Sequence, residues 1–153
     1  MKVLRAVTAA LALSVATSVI AQEFTPESLA VGFAKKDEER GNKSSQGRLQ
    51  QLHAMTQRAS QQCYNNIERG KEAENVGNMV VKTRQMLDED GIQVSHYELM
   101  DALSSILADG KSDWDCAAAL GLYMTMRKKN STHIGAYKVV QSMRDNGMIG
   151  PKN

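Results

Sequence analysis

Proline is nearly missing from this chain. There are two, Pro26 and Pro151, and everything between them is free of the strongest helix breaker. Aromatic residues make up only 5% of the chain, so core volume must come from Leu, Ile, Val, Ala and Met. No GxSxG, phosphate loop, dinucleotide fingerprint, HExxH, CxxC or CxxCH occurs. That leaves no motif for the common hydrolase, nucleotide, zinc or covalent haem sites. His53, His96 and His133 stand singly in different segments. Strand signals are weak throughout, and there is no internal repeat.

An excess of one charge is also lacking, once the N-terminus is read correctly. Residues 1–21 form a secretory signal peptide: basic Lys2 and Arg5, an apolar stretch from Ala6 to Ile20, and Val19-Ile20-Ala21 before Gln22. The apolar stretch is shorter than the roughly 20 residues that span a bilayer, so cleavage is expected. No Cys follows it, which argues against a lipid anchor. The formal charge of +2 comes from Lys2 and Arg5. Removing them from 19 basic residues leaves 17 against 17 acids. A charge-balanced mature chain with no basic, aromatic-studded stripe is not expected to bind nucleic acid. No later apolar run approaches spanning length, so no membrane contact is expected after cleavage. The protein is expected in the periplasm or fully secreted.

Cys63 and Cys116 both lie in the mature part. In an exported chain they are expected to pair. Closing a loop of that length stabilises by roughly 4 kcal/mol on the chain-entropy model.

The pattern predicts an all-α, single, small bundle-like domain of five or six helices. Residues 22–47 are expected to hold a short helix, begun by Thr25-Pro26-Glu27-Ser28, followed by a mobile polar arm from Lys35 to Gly47. Residues 48–147 form the helical domain, and 148–153 a frayed tail. Within the domain, Leu49, Leu52, Thr56, Ala59, Cys63 and Ile67 mark a helix from Ser45 to Arg69, with Gly70 closing it. Val76, Met79, Val80, Thr83, Met86 and Leu87 mark one from Glu72 to Glu89, ended by Gly91. Ser95-His96-Tyr97-Glu98 is a capping box opening a helix that Gly110 ends. Cys116 to Met124 is apolar or Gly at every position, which predicts a central, fully buried helix beginning near Ser112. Thr132 to Asn146 completes the set, with Gly147 as its cap.

Candidate functional residues are few. Asp88-Glu89-Asp90-Gly91 has the look of a calcium loop, but neither Gly91 at position 6 nor Glu98 at position 12 completes the register. His53-x-Met55 and Met124-x-Met126 place their side chains on different helix faces, so no metal and no cofactor is expected. Cys116 with His133, or Cys63 with His53, would be a thiol and base only if the disulfide were absent. Trp114, flanked by two acids, is either a half-exposed contact residue or a lid on the core.

The leading expectation is an exported helical protein-interaction module, adaptor-, chaperone- or immunity-like. Its contacts with a partner protein would be Trp114, the acidic turn Asp88, Glu89 and Asp90, and the basic arm residues Lys35, Lys36 and Arg40. The alternative is a small-ligand or metal carrier with a cavity between Met- and Ala-rich helices. A thiol-dependent enzyme comes third; no catalytic residue is assigned.

Overall fold

A computed structural model describes residues 24–43, 46–63, 69–107 and 111–150. Residues 1–21, expected to be a signal peptide, Ile67, Gly110 and the end of the tail lie outside the described residues. The described residues form six helices and no strand: α1 Pro26–Glu39, α2 Gln46–Gln62, α3 Glu72–Glu89, α4 His96–Ile106, α5 Cys116–Lys128 and α6 His133–Asp145. The all-α expectation holds, and so does the staple. Cys63 and Cys116 are disulfide-bonded, joining the end of α2 to the first residue of α5.

α1 starts as its sequence dictates. Thr25 Oγ1 accepts from Ser28 N and Ser28 Oγ accepts from Thr25 N, at 3.1 and 2.9 Å, satisfying helix-end donors. It then runs five residues into the stretch expected to be a mobile arm. Leu29, Ala30, Phe33 and Asp37 are all buried, so the helix keeps one core-facing stripe through its charged half. Lys36 pairs with Glu39 at 3.0 Å on the outer face. The chain leaves the helix at Gly41, whose φ of 85° suits glycine.

α2 stops at Gln62, short of the expected Arg69. The Gln62 carbonyl accepts from Trp114 N at 2.8 Å, tying this end of α2 to the segment before α5. Leu52, Met55, Thr56 and Ala59 face the core. α3 has its predicted bounds, and Gly91 follows it with φ 73°. α4 opens with the predicted box: Ser95 Oγ accepts from Glu98 N, and Glu98 Oε2 accepts from Ser95 N.

The central helix is α4, not α5. α4 packs against all five of the others, whereas α5 packs on α3, α4 and α6. Leu99, Met100, Ala102, Leu103 and Ile106 of α4 are buried. On α5 only Cys116, Ala119, Leu120 and Tyr123 are buried, and Ala117 and Ala118 are exposed. Apolar character at every position misleads here because alanine and glycine present little area; leaving them in water costs little. α6 is capped by Thr132, whose Oγ1 accepts from Gly135 N at 3.1 Å, and turns Ala136 and Val140 inward.

Candidate functional groove

α1 and α3 do not close on each other along their whole length. Between them lies a cavity of about 450 Å³, open on one side. Leu29 and Phe33 of α1 and Val81 of α3 supply its apolar walls, Phe24 its mouth, and Arg84 and His96 line it as well. Each wall also contributes a glycine from a helix interior, Gly32 and Gly77. A mid-helix glycine costs about 1 kcal/mol relative to alanine, so each needs a reason. A Cβ on Gly77 would meet Leu29 Cδ1 at 2.8 Å; the glycine lets α1 approach α3. A Cβ on Gly32 would meet nothing within 4 Å. Gly32 is exposed and faces open space on the groove side.

A polar relay adjoins the groove, with Arg84 and His96 in the lining and Asp37 behind them. The Asp37 carboxylate accepts from His96 N, Tyr97 N and His96 Nδ1 at 2.9, 3.0 and 2.8 Å. A residue on α1 thus takes up two donors at the start of α4 that no intrahelical partner could satisfy. His96 stacks on Phe33 with ring centroids 4.7 Å apart. Its Nε2 receives Arg84 Nη1 at 3.4 Å. That donor, with Asp37 accepting at the other ring nitrogen, assigns the proton to Nδ1. Arg84 Nη2 donates to Asp88 at 2.7 Å, and Asp88 also pairs with Arg40 at 3.0 Å. Burial by itself would raise the Asp37 carboxyl. Hydrogen bonds from the His96 side chain and from the His96 and Tyr97 backbones outweigh it and hold the group below its ordinary value of 3.8.

One donor in the relay has no acceptor among the described residues: Arg84 Nε. Arg84 is only 9% exposed. An unmet buried donor costs about 1–3 kcal/mol, and the residue that carries it lines the groove.

A second polar cluster lies between α4, α5 and α6. His133 joins Asp101 Oδ2 through Nε2 and the Tyr123 hydroxyl through Nδ1, both at 2.9 Å. Arg127 Nη1 donates to the same hydroxyl at 2.9 Å. Burial pushes the Tyr123 phenol above its ordinary 10.0, with Arg127 opposing. Tyr123 is wholly buried, and every partner in this cluster is a group of the protein itself.

The residues singled out by sequence are spread over the surface. Trp114 is 4% exposed and acts as a lid beside the disulfide, its Nε1 without a partner among the described residues. Asp88 belongs to the relay. Asp90 pairs with Lys128 at 2.6 Å, and Glu89 accepts from Gln85 on the outer face. Of the basic residues, Lys36 lines the groove, Lys35 is exposed, and Arg40 is tied to Asp88. Both cysteines are oxidised, so neither thiol–histidine pair has a free thiol. Among the described residues no group of three or more His, Cys, Asp or Glu could hold a metal ion, and no helix is long and apolar enough to cross a membrane. Larger but more polar hollows lie beside Gln57, Ser60 and Glu72 and beside Lys111 and Arg144; the α1/α3 groove is the apolar one, lined by Gly, Phe and Val rather than by the methionines expected of a carrier.

Asp37, Phe33, Arg84, His96 and the glycine pair went unnoticed in the sequence. The glycines offered a signal, since both interrupt otherwise sound helical patterns. Asp37 offered none, hidden in Lys35-Lys36-Asp37-Glu38-Glu39-Arg40. No family model, curated protein or solved structure matches the chain.

Proposed function

We propose that the chain is an exported binding protein, and that the α1/α3 groove is where it receives an apolar guest. The observation that supports this best is the void itself. It is about 450 Å³, within the range of small-molecule sites, and its walls are chiefly apolar, from Leu29, Phe33 and Val81. The N-terminal sequence and the disulfide support export. A small ligand suits the void better than the surface residues expected to meet a partner protein. Of those, Trp114 is only 4% exposed, and Asp88, Asp90 and Arg40 are engaged in ion pairs within the fold.

A partner protein is the second reading. Phe24 and Val31 are each more than half exposed beside the groove, so the apolar surface continues outside the cavity, next to Lys35 and Lys36. A partner would dock an apolar segment across that surface.

The test is titration of the mature chain with an environment-sensitive apolar dye. One dye should bind per chain. Val81→Glu, at a site 47% exposed and therefore tolerant of substitution, should weaken it by about tenfold or more with the helical signal unchanged. Undiminished binding to the variant would refute the groove as the site. Capture of one stoichiometric exported protein, lost in the same variant, would favour the second reading.

A further inference from the structure

Resting on the groove as the binding site, we infer that its guest is an amphiphile with a single anionic head, a straight-chain carboxylate, seated tail outward toward Phe24 and head toward Arg84. The walls are apolar, and the only formally charged side chains lining the groove are cationic, Lys36 and Arg84. Their own counter-ions, Glu39 and Asp88, bind them from outside the lining. Along the lining, Phe24 is exposed, whereas Phe33, His96 and Arg84 are buried.

Arg84 supplies the second, independent observation. It is nine-tenths buried, it lines the groove, and its Nε has no acceptor. A carboxylate accepts two parallel bonds from one guanidinium edge. A small rotation of the guanidinium would give up the long 3.4 Å contact to His96 Nε2, keep the 2.7 Å bond to Asp88, and offer Nε to the head group. Lys36 Nζ, on a side chain 64% exposed, reaches the same head from the rim by giving up its exposed pair with Glu39. Gly32 leaves room for the chain. Nothing is made or broken covalently; the protein holds the amphiphile and screens its tail from water.

The experiment compares decanoate, decanol and decyltrimethylammonium by calorimetric titration of the mature disulfide-bonded chain, with the His96 ring nitrogens followed by NMR. Decanoate should bind one per chain, about tenfold or more tighter than decanol, with the ammonium compound weakest. The His96 Nε2 resonance should move with decanoate alone. Lys36→Glu should remove the preference for decanoate over decanol. Gly32→Leu should abolish binding of all three while holding or raising thermal stability, because leucine is the better helix former. Equal binding of decanoate and decanol, with both lost in Gly32→Leu, would overturn the anionic head and leave the groove standing. Binding of decanoate unaffected by Gly32→Leu would overturn both.

Discussion

The molecule contains two histidine-centred polar clusters of similar composition and different character. In one, Asp37, His96 and Arg84 form a relay beside the α1/α3 groove, with His96 and Arg84 in its lining. In the other, Asp101, His133, Tyr123 and Arg127 stitch α4 to α5 and α6. Each has a carboxylate on one imidazole nitrogen and a second partner on the other. Among the described residues of the α4–α6 cluster, no buried side-chain donor or acceptor lacks a partner. The α1/α3 cluster has a void beside it and one donor unanswered. Residue type alone therefore does not mark a site. What marks it is a polar group that the fold buries without finishing, next to space that the fold leaves unfilled.

The largest expected effect falls on both clusters together. Replacing Cys63 and Cys116 with alanine should lower unfolding free energy by about 4 kcal/mol on the chain-entropy model, read by urea denaturation. Hydrogen exchange should speed up in α4 and α5 alike, since the staple joins the two halves. Faster exchange in one half only would show that the clusters are held by separate parts of the fold.

Next, the clusters should separate under carboxylate deletion. Asp37→Ala strands two backbone donors and an imidazole donor in a site 5% exposed, and should cost about 3 kcal/mol. Asp101→Ala removes one contact from a side chain 39% exposed, where water replaces the acceptor, and should cost about 1 kcal/mol or less. Equal losses would erase the distinction drawn between buried and half-buried clusters.

The smallest effect concerns acid. Asp37 ionises more readily in the fold than in the unfolded chain. Its contribution is therefore complete above the ordinary value of 3.8 and is lost as pH falls through the lower folded value. Stability measured between pH 5 and pH 2 should fall more gently in Asp37→Asn than in the wild-type chain. Parallel curves would show that Asp37 does not govern the acid limb.

Much of the architecture was legible in the residues. Capping chemistry is local, so Thr25 to Ser28, Ser95 to Glu98 and Thr132 announced three helix starts correctly. On α3, Val76, Val80 and Leu87 were read correctly from their spacing, whereas Met86 of the same stripe is 37% exposed; the disulfide was read from cysteine count and the expected compartment. The misreadings share one cause. The charged run after Phe33 looked like an arm because its one inward residue, Asp37, answers donors on α4, 59 residues away in sequence. The run from Cys116 to Met124 looked central because periodicity cannot weigh how little area alanine and glycine bury.

The sequence by itself determined the helical class, the pairing of Cys63 with Cys116 and most helix starts, because these depend on neighbouring residues or on simple count. Only the tertiary structure decided which helix is central, that Trp114 is a lid, and that Gly32, Arg84 and His96 meet at one groove. Those facts arise where α1, α3 and α4 cross. A void or an unanswered donor belongs to no segment of chain; it exists only between segments that packing has brought together.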